Sequence, residues 1–183
     1  MPITAFVTDI GNDLAYEVPV ETVVRWVASC LDRMLAIGAE VVLSDLPMEA
    51  LRRVSATRYR LFRALLFPQC RLDWREMLNR AEQLSAGLRE LAKSREVSVF
   101  TGRKAWYGLD PIHPSRRNHP EIWSQLLGLV VPLSSDLSQH RCPLGLAWYL
   151  RSLRCESWST FSISRRAPQP NGHLHDGSTI ALY

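Results

Sequence analysis

The sequence predicts an α/β protein built on a parallel sheet, and three observations point to this class. An apolar run at residues 3–7 precedes residues 20–35, whose apolar side chains recur at three- and four-residue steps. A second apolar run follows at residues 40–46. A strand, a helix and a strand of these lengths form a βαβ unit, which makes the two strands parallel. With helices on both faces, such a sheet becomes a three-layer α/β/α sandwich.

Turn and breaker residues set the ends of the first elements. The run at residues 3–7 is expected to be buried on both faces, and Gly11 is expected to turn the chain after it with a positive φ. Pro19 suits the first turn of a helix, and Gly38 can end that helix in the left-handed conformation. The first helix is therefore predicted between these two residues.

The middle of the chain predicts two more helices and a third strand. We expect one helix over about residues 48–67, stopped by Pro68. Another begins at Asp73, whose carboxylate can cap it, while Glu76 reaches back in a capping box. The apolar run at residues 97–101 is the third predicted strand.

Two domains are expected, residues 1–131 and a small β-rich extension at residues 132–183. In the extension, residues 144–153 predict a helix. The alternating run at residues 160–164 predicts a half-buried strand, with which residues 179–183 would pair as a hairpin.

Composition describes a globular chain. The 183 residues are 46% hydrophobic and 22% charged, enough for one core. Because no apolar run approaches the roughly 20 residues of a membrane helix, no span is expected. The net charge is +4, and Arg residues cluster at Arg52, Arg53, Arg58, Arg60 and Arg63. This cluster is either a solvated helix face or a phosphate-binding stripe. A nucleic-acid interface would need the positive charge gathered on one face with interleaved aromatic side chains, and we expect no nucleic-acid partner.

Cysteine and histidine spacing offers little chemistry. The four cysteines have no Cys-x-x-Cys spacing, and a disulfide framework is not expected in a chain with an adequate core. His173, His175 and Asp176 would face the same way on a strand and offer metal ligands, or would lie in a turn after Pro170-Asn-Gly172.

The first motif with catalytic potential is Gly11-Asn12-Asp13, directly after the first strand. Open α/β sheets hold their ligands at the carboxyl ends of their strands, where Asn12 would project. Its amide offers two N–H donors, which suit a developing oxyanion in acyl transfer. The alternative is a turn with an Asx hydrogen bond.

The second motif, Asp110-Pro-Ile-His113, follows the third strand and precedes a helix that Pro120 can open. A carboxylate three residues before an imidazole can approach it across a turn. Asp110 would then hold His113 in the tautomer that leaves its other nitrogen free as a base. The alternative is a solvated surface turn. Trp106 and Tyr107 would wall an acyl pocket beside His113 or pack under the loop.

Together the motifs resemble two signature blocks of the SGNH (GDSL) hydrolases, over about residues 1–130. The resemblance implies a flavodoxin-like fold in which Asn12 donates to the oxyanion, His113 is the general base and Asp110 orients it. In that family the nucleophile is a serine in a Gly-Asp-Ser motif near the amino terminus. No serine precedes Gly11 here. Asp176-Gly-Ser178 has the order of its first two residues reversed and lies at the other end of the chain, where a turn is expected.

The resemblance implies ester or acyl hydrolysis by a parent protein of which this chain is the carboxyl-terminal part. It implies a small ester or acylated substrate and neither a metal nor an organic cofactor. An incomplete sheet would also expose an edge, through which the isolated chain would self-associate. Because no signal peptide follows Met1, we expect a cytoplasmic protein, unless the gene starts further upstream.

Two alternatives remain at this point. One is a non-catalytic module that keeps the hydrolase scaffold and uses the crevice or the β-rich extension to bind a partner. The other is an unrelated doubly wound domain for an anionic ligand, although no glycine-rich phosphate loop follows any strand.

Overall fold

The structure is a computed structural model that describes residues 3–108, 112–130, 142–160 and 163–183. The chain forms two compact units, Met1–Gln139 and His140–Tyr183. The predicted domain boundary between residues 131 and 132 lies outside the described residues.

The first unit is a parallel sheet with helices on both faces. Its elements are, in chain order, β1 (Ile3–Val7), α1 (Val20–Ala36), β2 (Ala39–Ser44), α2 (Met48–Leu51), α3 (Ala56–Leu66), α4 (Trp74–Ser94), β3 (Ser98–Phe100) and α5 (His119–Gly128). The strand order is β1-β2-β3, and both neighbouring pairs are parallel. The predicted α/β class with a parallel sheet is confirmed.

The register of the sheet brings the carboxyl ends of its three strands together. Val7 lies opposite Leu43, and Ser44 lies opposite Phe100. Just past β2, the Asp45 N–H donates to the Phe100 carbonyl at 2.8 Å. The residues that follow the strands therefore meet at one edge of the sheet, where α/β proteins place their ligands.

Side chains of β2 alternate between two apolar clusters. Ala39, Val41 and Leu43 belong to the larger cluster, together with residues of α1 and α4. Val42 belongs to a smaller cluster that includes Leu126 of α5. Such a two-residue period is what a strand covered on both faces requires.

β1 is less buried than predicted. Ile3 is 43% exposed, and only the second half of the strand packs against the clusters, through Ala5, Phe6 and Val7. The expectation of burial on both faces is therefore wrong for this strand. The reason is its position: β1 is an edge strand of the described sheet, and its first two residues are exposed.

The sharp turn after β1 is made by Asp9 and not by Gly11. Asp9 has a left-handed backbone, with φ 59°, directly before the 3-10 helix Ile10–Tyr16. Among the described glycines, positive φ angles occur at Gly38 and Gly177. A side chain at Gly11 would meet Leu46 at an ordinary 3.5 Å. Neither conformation nor space requires a glycine there, so the expected positive φ is wrong.

The ends of α1 and the start of α4 follow the sequence signals. α1 begins directly after Pro19, and Gly38 follows it with φ 75°. The Asp73 carboxylate accepts the Glu76 N–H at 2.9 Å, as predicted for a cap. The Glu76 carboxylate does not complete the capping box, because it pairs with Arg80 at 2.9 Å.

The helix predicted over residues 48–67 is two helices, α2 and α3. Ser55 has an extended backbone, and its hydroxyl accepts the Arg58 N–H at 3.2 Å, which caps α3. Val54, directly before it, is buried. A continuous helix is therefore wrong here, because the chain bends to bury Val54 and starts again at Ser55. α5 carries Pro120 in its first turn, as predicted.

In its described residues, the second unit contains one helix and two small antiparallel sheets. Its elements are α6 (Leu144–Ser152), β4 (Ser157–Thr160), β5 (Ile163–Arg166), β6 (Gly172–His173) and β7 (Thr179–Ile180). The helix matches the prediction, whereas the strand predicted over residues 160–164 is wrong. Those residues end β4 and begin β5, which pair with each other; residues 161–162 lie outside the described residues.

β7 pairs with β6 and not with the predicted partner. The close fit of Gly172 against Ile180 explains this choice. A Cβ at Gly172 would lie 2.7 Å from the Ile180 Cβ, so the missing side chain lets the two strands approach.

Candidate functional site

A cavity of about 560 Å³ lies at the carboxyl edge of the parallel sheet. Its walls come from the residues that follow the strands, from α3, α4 and α5, and from the segment between β3 and α5. Most of the lining side chains are apolar or aromatic. Cavities of this size enclose most of the surface of a drug-sized molecule, so the site suits a largely apolar ligand.

A polar strip crosses this cavity where β1 and β2 end. Thr8 and Asp9 follow β1, and Ser44 and Asp45 lie at the end of β2. The Asp45 side chain is fully buried and accepts two hydrogen bonds of 2.7 Å, from the Leu46 N–H and from the Arg89 Nε. Both carboxylate oxygens are therefore engaged. Asp45 holds the end of β2 in place beside the cavity.

The first predicted motif reaches the cavity in part. Gly11 and Asn12 line it, and Asn12 is half-buried in the 3-10 helix that follows β1. Asp13 is not part of the wall; its backbone carbonyl accepts the Val18 N–H at 3.2 Å and supports the end of the 3-10 helix. The motif therefore brings one amide side chain to the ligand site.

The second predicted motif contributes His113, which is exposed on the cavity wall. Its segment is tied back to Trp106, because the Ser115 N–H and the Asn118 amide donate to the Trp106 carbonyl at 2.8 and 3.0 Å. These bonds hold the imidazole on the same cavity as Asn12, although 100 residues separate the two in sequence. Asp110 lies outside the described residues.

Trp106 is both wall and core. Its ring stacks on Phe100 with centroids 5.9 Å apart, and its indole N–H donates to Glu121 of α5 at 3.1 Å. The Arg103 guanidinium lies over the Trp106 ring, 5.6 Å from the ring centroid. Trp106 therefore fits both predicted roles, because it lines the pocket and also packs under the loop. Trp106 joins β3, the loop and α5.

Tyr107 lies on the cavity wall in close contact with Gly102. A Cβ at Gly102 would lie 2.3 Å from the tyrosine hydroxyl, so only glycine leaves room for it. Burial raises the pKa of the Tyr107 hydroxyl, and the nearby Asp9 carboxylate raises it further. The hydroxyl therefore stays a neutral hydrogen-bond donor at the edge of the apolar cavity.

Several cavity residues belong to neither of the two predicted motifs. Ser44 and Asp45 end the central strand, and strand ends are where polar side chains point to ligands, so this signal was present in the sequence. Nothing in the sequence indicated that one face of α3 lines a cavity, because its residues were predicted to lie in one longer helix. Arg116 and His119 also line the cavity beside His113. Neither belongs to a recognisable motif.

The other predicted sites are turns or isolated residues. Ser178 donates its N–H to the Asp176 carboxylate at 2.9 Å, and this bond lowers the pKa of Asp176. Gly177 between them has φ 84°, so Asp176-Gly-Ser178 is a tight turn. No metal-binding group of three or more His, Cys, Asp or Glu residues occurs within the described part of the chain, His173 and His175 included. All four cysteines are free thiols.

Comparison with known proteins adds no relative to this picture. No protein-family profile, no curated protein sequence and no solved structure matches the chain. Among the described residues, no helix is both long and apolar enough to cross a membrane.

Proposed function

We propose that this chain carries the later part of an SGNH-type hydrolase that acts on ester or acyl groups. One observation supports the proposal above the others: Asn12 of the first motif and His113 of the second line the same apolar cavity. Each motif alone is a common turn. A shared ligand site at the carboxyl edge of a parallel sheet is what acyl transfer by these residues requires.

In the proposed reaction, a serine that lies outside these 183 residues attacks the carbonyl carbon of the substrate. His113 accepts the serine proton as general base and returns it to the leaving alcohol, which leaves the acyl group bound to the serine. A water molecule then gives a proton to His113 and attacks this ester, and the carboxylic acid leaves as the proton returns to the serine. Asp110 stabilises the imidazolium in both steps. The Asn12 amide donates to the oxyanion of the tetrahedral intermediate. The acyl group occupies the apolar cavity, with Trp106 and Tyr107 on its wall.

An activity-based probe tests this mechanism in the protein purified from its native source. A fluorophosphonate labels only activated serines, and peptide mass mapping identifies the labelled residue. We expect one labelled serine in a Gly-Asp-Ser sequence. His113→Gln should abolish labelling, whereas His175→Gln, in the turn of the second unit, should leave it unchanged. Labelling that does not depend on His113 would remove that residue from the mechanism.

The oxyanion role of Asn12 has its own quantitative test. Asn12→Ala should lower ester turnover by about 10² to 10³-fold, with a much smaller change in KM, because the lost interaction forms only in the transition state. The matched control is Asn79→Ala on α4, whose exposed side-chain amide accepts a hydrogen bond from the neighbouring Gln83 at 3.3 Å. Equal rates for Asn12→Ala and the control would exclude Asn12 as an oxyanion donor.

A non-catalytic binding module is the second candidate, and the scarcity of serine on the described cavity wall favours it. Within the described residues Ser44 is the serine on the cavity wall, and its hydroxyl faces the Asp45 carbonyl at 3.4 Å. If the native protein is not labelled by the fluorophosphonate but binds a fluorescent fatty acid in this cavity, binding without turnover is its function. Cavity-filling Leu78→Trp should then abolish fatty-acid binding.

A further inference from the structure

The segment from Ala50 to Leu72 concentrates positive charge. It contains six arginines and no acidic residue, although the whole chain has a net charge of only +4. The rest of the chain is therefore net negative. Glu49 and Asp73 flank the segment directly. Within the described residues, Glu82 also pairs with Arg52 at 2.9 Å, and Glu17 accepts the Arg71 backbone N–H.

Among the described residues, no acidic side chain forms an ion pair with the other arginines of this segment. The guanidinium groups of Arg58 and Arg63 donate to the carbonyls of Gly108 and Leu72, which leaves their positive charge in place. Arg53 and Arg60 are exposed to solvent. A surface of this kind attracts anions at a distance.

Exposed leucines lie on the outer face of α3 within the same segment. Leu61 is 68% exposed and Leu65 is 74% exposed, and their four-residue spacing puts them on one side of the helix. Arg60 and Ala64 lie beside them. Tyr16, which is 71% exposed, lies at the carboxyl end of α3, where its ring meets Phe67 edge to face at 5.4 Å.

α3 has apolar side chains on its inner face as well. Tyr59, Phe62 and Leu66 line the cavity, yet none of the eleven residues of α3 is buried. A helix that is apolar on both sides normally lies inside a protein or at an apolar boundary. Here one side faces an apolar cavity, and the other side faces solvent.

We propose that α3 and its flanking arginines dock this protein on a lipid bilayer that contains anionic headgroups. Arg53 and Arg60 would contact the headgroups, while Leu61 and Leu65 would enter the boundary between headgroups and acyl chains. The combination of leucines with arginines favours lipid over nucleic acid, because single-stranded nucleic acids need aromatic side chains for stacking and the aromatic residues of α3, Tyr59 and Phe62, line the cavity. The docked helix would lie between the bilayer and the apolar cavity.

Vesicle flotation tests the proposal on the 183-residue chain. We expect the protein to float with vesicles of phosphatidylcholine and phosphatidylglycerol in equal amounts, and to stay unbound with phosphatidylcholine alone. Leu61→Gln with Leu65→Gln should weaken partitioning by at least about tenfold. Arg53→Gln with Arg60→Gln should weaken it roughly 25-fold, since each arginine near an anionic surface contributes about fivefold.

Matched controls remove equal charge or apolar surface from α1 and its carboxyl end. Trp26→Gln with Ile37→Gln removes two exposed apolar residues, and Arg25→Gln with Arg33→Gln removes two exposed charges. Both pairs should retain binding within about twofold. All four substituted pairs are on the surface, so their unfolding midpoints should stay near that of the unchanged chain, which is checked by urea denaturation.

Three results would overturn the proposal. The first is equal binding to both vesicle types, and the second is an equal loss of binding in the control pairs. The third is that the chain does not bind vesicles, and that the α3 substitutions instead remove its dimerisation or its binding to duplex RNA. Vesicle binding is measured without hydrolysis, so its failure leaves the ester-hydrolase proposal untouched, and unlabelled serines leave the docking proposal untouched.

Discussion

α1 and α3 are both helices with apolar side chains at helical spacing, but they are buried very differently. In α1, Val23, Val27 and Leu31 pack against the sheet and α4, and Leu31 is completely buried. In α3 no residue is buried. The two helices differ in what they pack against: α1 faces the close-packed strand β2, whereas α3 faces a cavity. Apolar periodicity therefore indicates which side of a helix seeks cover, and the surrounding fold decides whether cover exists.

The largest expected effect tests this contrast directly. Leu31→Ala should lower the free energy of unfolding by about 2–5 kcal/mol, because it leaves a cavity in a packed core. Leu65→Ala should change it by less than about 0.5 kcal/mol, since the side chain already contacts water. Urea denaturation of both variants measures the two values. Similar losses would mean that α3 is covered in solution, for instance by a second copy of the chain.

A smaller effect is expected at the tight contact between Gly102 and Tyr107, on the cavity wall. Gly102→Ala should destabilise the protein by about 1–3 kcal/mol, because the added methyl group collides with the tyrosine hydroxyl. Tyr107→Phe removes that hydroxyl and should recover part of the loss in the double variant. A double-mutant cycle measures the coupling. Additive effects would show that the ring already moves freely on the cavity wall.

The smallest effect concerns Tyr59, which anchors α3 through a 3.0 Å hydrogen bond from its hydroxyl to the Leu72 carbonyl. Burial is the main cause that raises the pKa of Tyr59, and its hydrogen bond with Cys70 adds to the shift. A raised folded-state pKa gives stability that is fully present below the ordinary tyrosine pKa of about 10. That stability is lost as the pH rises from there through the folded value.

Tyr59→Phe should therefore cost about 1 kcal/mol at neutral pH and should flatten the alkaline decline in stability. The control is Tyr16→Phe, because Tyr16 is largely exposed. Urea denaturation from about pH 8 to about pH 11 gives both curves. An unchanged alkaline slope in Tyr59→Phe would show that its hydroxyl already titrates in contact with water.

The parts predicted correctly rest on local rules. Pro19 and Gly38 bracket α1, Asp73 caps α4 and Pro120 opens α5, because each acts on backbone groups within one turn. The parallel sheet followed from the lengths of the first two strands and of the helix between them. Each of these inferences needs only a few neighbouring residues.

The errors have a different origin. The helix predicted over residues 48–67 breaks at Ser55 because burial of Val54 outweighs the continuous helical pattern. The strand predicted over residues 160–164 is wrong because Thr160 and Ile163 lie opposite each other, on the separate antiparallel strands β4 and β5. β7 pairs with β6 because Gly172 allows a close approach. None of these choices can be read from propensity alone.

For the candidate site, local sequence patterns indicate the chemical groups that take part: an amide at Asn12, an imidazole at His113 and aromatic rings at Trp106 and Tyr107. The packing of the fold then brings these side chains into one cavity with the buried Asp45 and the inner face of α3. The physical reason is range. Caps, turns and periodicity act within one or two turns of chain, whereas a cavity is the space left between elements that pack from distant parts of the sequence.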